Sequence, residues 1–307
     1  MIKQSLLQTA IRLESALTPG RPEPRWAPVF IVGPPRTGTT LLYQAMCHHL
    51  RVAPPRNLIV QQEVWMAPRV SRLICALAER RAPPADHFTS SYGSTQGDTS
   101  PCEAGQVWNR WFPGGPCDQP LPEAEAQQVR AFVAGIEAGG GGPFVNKNVM
   151  HSVRIPVLAR LFPNALFVEV HRNVLMAARS IYQARLRHPV NQWWSVRPPG
   201  YESLLELPLA AQAVAQVQLI HRQIEADCQS IPDRRILVRY EELCANPTGV
   251  VSGIREFMDS RQAPAAIRQP LPDSFEPPRK TTVPAAVLAE LEKHVREFET
   301  GSVPFRG

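Results

Sequence analysis

The sequence predicts an α/β fold: a P-loop-like three-layer sandwich around a central, mostly parallel sheet of five strands. Three observations predict it. Short runs rich in Val, Ile, Leu and Phe alternate with segments of helical period. The runs are continuously apolar, as in parallel strands covered on both faces. The first run, VFIV at 29–32, passes through Gly33-Pro-Pro-Arg-Thr-Gly38 into a helical pattern, the strand–loop–helix order of a phosphate cradle.

Each element has its own signal. Residues 1–25 form a helical extension, because Ile2, Leu6, Leu7, Ile11, Leu13 and Leu17 fall on one helical face. The same stretch is too polar for a signal peptide or a membrane span. Val29–Val32 is the first strand and residues 39–50 its helix. Leu58–Val60 is a short second strand, with a helix from 63 to 80. A loop rich in Pro, Ser and Gly covers 83–101, and helical patterns follow near 102–111 and 122–137. Phe144–Asn146 is the third strand, and 151–161 is helical. Ala165–Val170 is the fourth strand and feeds a helix over 174–187. A loop rich in Trp and Pro spans 188–208. The apolar positions 210, 214, 217, 220 and 224 set a helix over 209–229. Ile236–Val238 is the fifth strand. The last helix, 285–298, starts after Thr282 and Pro284. The 307 residues are read as one domain. Ligands of such sheets bind at the carboxyl ends of the strands, at a switch in strand order.

Composition narrows the function. Hydrophobic residues make up 44% and charged residues 20%, as in a globular enzyme. The formal net charge of +6 suits a small anionic ligand. It is spread along the chain, with no basic run interleaved with aromatics, so nucleic acid is not expected as a partner. The six cysteines form no C-x-x-C pair and no zinc spacing. Cys47, Cys75 and Cys228 read as buried thiols, and Cys102 and Cys117 as a pair only in an oxidising compartment. The expected setting is cytoplasmic.

The loop at 33–40 departs from an NTPase P-loop in one decisive way. Gly33, Gly38 and Thr40 are in register, but Thr39 stands where the lysine belongs, and Arg36 lies inside the loop. Without that lysine a triphosphate loses a charged hydrogen bond of about 1.5–3 kcal/mol. Magnesium would also lack its strand-end Asp: LFVEV runs into His171 and Arg172, and ILV into Arg239 and Tyr240. Backbone N–H groups, Arg36 and hydroxyls suit one phosphate bearing a further anionic group, with no metal.

PPRTGTTLL at 34–42 resembles the 5′-phosphosulfate loop of sulfotransferases that use PAPS, 3′-phosphoadenosine 5′-phosphosulfate. The resemblance implies a second cluster for the 3′-phosphate, a strand-end Arg with Ser eight positions on, and Arg172 and Ser180 fit it. It implies that Arg36, Thr37, Gly38, Thr39 and Thr40 hold the 5′ end. VRYEEL is similar to a family segment whose Tyr approaches adenine, which points to Tyr240. FVNKN is similar to the strand-end Asn-Lys of tyrosine and carbohydrate sulfotransferases, which points to Lys147. PPRKTT falls where cytosolic members carry Arg-Lys-Gly, which brings in Arg279 and Lys280, although Thr281 replaces the glycine. Leu41 replaces the Trp of the cytosolic hormone and phenol enzymes, and Val149 their base histidine.

Sulfuryl transfer needs a base for the acceptor proton and positive charge at the leaving phosphate. Arg36 and Lys147 suit the second task. For the first, the resemblance to tyrosine-protein sulfotransferases points to Glu63, with Pro68 and Arg69 at the family's spacing and the longer approach taken up in residues 51–56. Glu63 also suits a helix's first turn, where it would complement the dipole. His151 is the reserve base or else a capping or surface histidine. Trp108, Trp111, Phe112, Trp193 and Trp194 either line an acceptor cleft or pack beneath loops. The implied enzyme moves sulfate from PAPS to a hydroxyl or amine of a small molecule, sugar, lipid or peptide, with loops 83–121 and 188–208 on the acceptor side. The rivals are a non-catalytic nucleotide binder of the same fold and a small-molecule kinase with a degenerate loop.

Overall fold

The computed structural model describes residues 9, 22–61, 68–81, 88, 95, 97–114, 117–187, 193–276 and 283–300. In chain order the elements are β1 (Val29–Val32), α1 (Thr39–His49), α2 (Asn57–Gln61), α3 (Pro68–Arg81), α4 (Gly105–Trp111), α5 (Glu123–Gly140), β2 (Val145–Lys147), a 3₁₀ turn (Val149–Val153) and α6 (Ile155–Leu161). They continue with β3 (Leu166–His171), α7 (Val174–Arg187), α8 (Leu209–Cys228), β4 (Arg235–Arg239), α9 (Tyr240–Ala245), α10 (Pro247–Asp259) and α11 (Ala285–Glu299).

Among the described residues the sheet has four strands, all parallel, in the order β2-β1-β3-β4. The chain leaves β1 for β2 on one side and β3 for β4 on the other. Their loops therefore diverge, and a crevice opens between the carboxyl ends of β1 and β3. The two faces of β1 feed separate cores. Phe30 and Val32 pack with Trp108, Phe132, Phe167 and residues of α8. Val29 and Ile31 pack with Leu42, Met46, Val168 and residues of α10. All four β1 residues are buried, which explains an apolar run without alternation.

The second of the five expected strands is absent, while the last, Ile236–Val238, lies within β4. Leu58–Val60 is helical, part of α2. Three apolar residues suit a buried helical turn as well as a strand, and here the neighbours decide. The Asn57 amide group donates to the Thr95 and Gly97 carbonyls, and the Leu58 amide to Asp98. Ile59 and Val60 then close on Arg56. The segment is tied to the 95–100 loop rather than to a sheet edge.

The run GGGG at 139–142 is a packing device. Gly139 and Gly140 end α5, and a Cβ on Gly139 would lie 2.6 Å from the Arg72 carbonyl oxygen of α3. Only a bare backbone permits that approach. All six cysteines are free thiols. Cys75 and Cys228 are buried and Cys47 is half-buried, and Cys102 and Cys117 are unpaired. No described helix is long and apolar enough to cross a membrane.

Candidate functional site

The loop after β1 is braced from below by a residue the sequence did not single out. Ser152, buried in the 3₁₀ turn, accepts from the Gly33 amide at 2.9 Å and donates to the Gly33 carbonyl at 3.0 Å. The Thr37 hydroxyl is buried and donates to the Pro34 carbonyl at 2.8 Å, so it shapes the loop from within. Gly38 caps α1 at φ 95°. The Tyr240 ring lies against it, so a Cβ there would collide with the ring. Thr39 and Thr40 open α1, where free backbone amides and the helix dipole favour an anion.

Arg36 sits at φ 70°, a conformation that costs a non-glycine residue on the order of 1–3 kcal/mol. Bonds across the crevice help to hold it there. Its Nε donates to Ser180 Oγ at 2.8 Å, and its carbonyl accepts from Arg172 Nη1 at 3.0 Å. The loop arginine after β1 and the Arg172/Ser180 pair after β3 therefore meet across the crevice. Arg172 Cζ stands 4.4 Å from the Tyr240 ring centroid, a cation–π contact. Glu241 accepts from the Asn173 amide at 3.1 Å, pinning the turn after β3 to the end of β4. A pocket of about 240 Å³ opens beside this turn, with Arg172, Asn173, Arg239 and Glu241 in its wall.

Lys147 ends β2, in register with Ile31 of β1. Its Nζ forms an ion pair with Glu103 Oε1, and the lysine side chain is only 3% exposed. Glu103 lies in the loop that sequence reasoning placed on the acceptor side. Its backbone is fixed by long bonds of 3.5 and 3.4 Å from the Asn146 and Asn148 amide groups. Asn146 also donates to the Cys102 carbonyl at 3.3 Å, and so does the Tyr43 hydroxyl at 3.2 Å. No local pattern announces this pairing, which spans 44 positions.

His151 is neither a capping nor a surface residue. It is fully buried, edge-on to Phe30 and Trp108 at 5.2 and 4.7 Å, and bonded through Nε2 to Asn146 Oδ1 at 2.9 Å. Burial holds its pKa well below the usual histidine value, and Arg154 adds to the effect. It is a core residue, enclosed on the sheet face that carries Phe30. The same cluster takes Trp108, Trp111 and Phe112, all buried, which decides for packing over a cleft. Trp193 is buried beneath the Arg185 guanidinium at 4.2 Å and donates to the Val196 carbonyl, while Trp194 is half-buried against the same α7–α8 core.

Glu63, Arg279 and Lys280 lie outside the described residues. The strand expected to deliver Glu63 is the helix α2, ending two residues before it.

Beneath the crevice, Glu169 of β3 is fully buried. Its Oε1 accepts from His171 at 2.7 Å and His221 at 2.8 Å, and its Oε2 from Arg235 at 2.7 Å. Burial works to raise this carboxyl, but the two histidine bonds prevail and hold it at about 2. Burial lowers His221, against the opposing pull of Glu169.

The sequence profile of the sulfotransferase family matches residues 28–264. That span holds the loop after β1, Lys147, Arg172, Ser180 and Tyr240. The chain belongs to the sulfotransferase family. No curated protein matches it. Among solved structures, this sulfotransferase is similar to sulfotransferase STF1 from Mycobacterium tuberculosis H37Rv, at 17% identity, covering 82% of this chain and 72% of that one, with a TM-score of 0.46. It is also similar to STF9 from Mycobacterium avium, at 19% identity, covering 98% and 74%, with a TM-score of 0.45. A sulfotransferase from Alicyclobacillus acidocaldarius matches at 15% identity, covering 90% and 96%, with a TM-score of 0.42.

Proposed function

We propose that this chain transfers a sulfuryl group from PAPS to a hydroxyl or amine acceptor and releases adenosine 3′,5′-bisphosphate. One observation carries the reading: Arg36, on the loop after β1, is bonded both to Arg172 and to Ser180. Two cationic cradles that share a crevice suit a nucleotide with an anion at each end. Arg36, Thr37, Gly38, Thr39 and Thr40 would take the 5′-phosphosulfate at the start of α1. Arg172 and Ser180 would take the 3′-phosphate, with Lys280 joining from the C-terminal segment. Tyr240, already against Gly38 and Arg172, would border the adenine.

In the transfer, the acceptor oxygen bonds to sulfur as the bond from sulfur to the bridging phosphate oxygen breaks. The acceptor proton goes to Glu63. The electron pair goes to the leaving phosphate, where Lys147 and Arg36 meet the new charge. The acceptor class is a small molecule, a sugar, a lipid or a peptide, and the donor's charge is met by Arg and Lys without a metal. Calorimetry with adenosine 3′,5′-bisphosphate against ATP with magnesium tests the reading. The bisphosphate should bind and ATP should not. Binding of ATP–magnesium alone would refute it. A screen of acceptors with radiolabelled donor then identifies the product.

A further inference from the structure

We propose that Glu103 is a latch on Lys147. It holds the ammonium in the ligand-free protein and releases it to the donor's 5′-phosphate, so that Lys147 reaches the leaving oxygen only when a donor is in place. The inference rests on the PAPS reading and adds to it a positioning residue that acts through Lys147.

The direction of the exchange follows from exposure. The Lys147 side chain is 3% exposed and that of Glu103 is 28% exposed. A buried ammonium stripped of its anion is costly, so Lys147 must be paired with something at all times. Glu103 has no such need, because water reaches it. An arriving phosphate can therefore replace the carboxylate at the lysine, and the carboxylate can turn to solvent. The latch is also built in place rather than met by chance. Asn146 of β2 and Asn148, just past its end, flank Lys147, and both reach the Glu103 carbonyl. Ala104 follows in a left-handed conformation at φ 51° and caps α4. The strand that carries the lysine thus fixes the backbone of the residue that restrains it.

The test combines binding and labelling on the full chain. Glu103→Gln removes the competing anion and should tighten adenosine 3′,5′-bisphosphate about tenfold by calorimetry, within the range of one charged hydrogen bond. In a Lys147→Met background the same change should do nothing, because no ammonium remains to be released. Tightening that persists there would mean plain repulsion between Glu103 and the ligand, and would overturn the latch. So would unchanged or weaker binding in the single variant. The second arm needs no ligand. The chain has four lysines, Lys3, Lys147, Lys280 and Lys293, so competitive acetylation with peptide mapping reads Lys147 alone. Its labelling should rise several-fold in Glu103→Gln and fall again when the bisphosphate is added. No rise would show that Glu103 does not restrain it and would overturn the proposal. If the wild type binds no bisphosphate, the donor reading fails and the latch falls with it, while the labelling arm still reports whether the pair exists. Should Glu103→Gln not fold, Glu103→Asp, one methylene short of the ammonium, carries both comparisons.

Discussion

Arg172→Ala separates what holds the loop from what would hold the ligand. Arg172 makes two kinds of contact in this structure. It donates to the Arg36 carbonyl at 3.0 Å and lies over Tyr240 at 4.4 Å, and both stabilise the loop whatever is bound. Losing the loop bond costs about 1 kcal/mol, so any nucleotide should bind roughly fivefold more weakly. The second role exists only if a 3′-phosphate is present. A charge-assisted bond to it is worth about 1.5–3 kcal/mol, a further factor of about 10–150. Calorimetry with adenosine 3′,5′-bisphosphate and with adenosine 5′-phosphosulfate, which lacks the 3′-phosphate, measures the two separately. The ratio of affinities should shift by at least about tenfold. If both ligands weaken by the same factor, Arg172 serves the loop alone and its assignment to the 3′ end is wrong.

Gly38→Ala should abolish nucleotide binding and lower the melting temperature, because φ 95° is strained for alanine and the new methyl meets Tyr240. Adding Tyr240→Ala should recover part of the stability by removing the collision but not the strain, and thermal melts of the two variants read this directly. Glu63→Gln should lower kcat by about 10²–10⁴ while leaving donor affinity intact; full turnover in that variant would move proton removal to another group. The Glu169 cluster predicts acid sensitivity. Its carboxyl is depressed to about 2 in the fold, so its contribution is complete above the unfolded value near 4.5 and is lost as pH falls toward 2. The loss is on the order of 3 kcal/mol. His221, lowered by burial, pulls the same way, since the unfolded chain takes up its proton first. Urea melts between pH 7 and pH 3 should show this slope, and Glu169→Gln should flatten it.

The parts of the fold legible in the sequence were those written locally. Helix α7 begins and ends where the periodicity places it, and the run from β1 through Gly33 and Gly38 into α1 needs no distant partner to be recognised. Arg172 and Ser180 were singled out only through the family resemblance, and both are bonded to Arg36. Leu58–Val60 was not legible, because a three-residue apolar run has no period and the 95–100 loop chose its conformation. Ser152 and Glu103 were missed because their partners lie 119 and 44 positions away, and neither sits in a pattern that could announce the contact. His151 was misread because a lone histidine near a strand end carries no sign that Phe30 and Trp108 will enclose it.

Because Arg36 gives its side chain to Ser180 and its carbonyl to Arg172, the turn after the first strand cannot move without pulling on the helix after the third. Fixing an anion on one side should therefore stiffen the other before anything arrives there. A rigid two-ended molecule would then gain more than its halves do separately, and a fragment with one charged end would find the far seat set but empty.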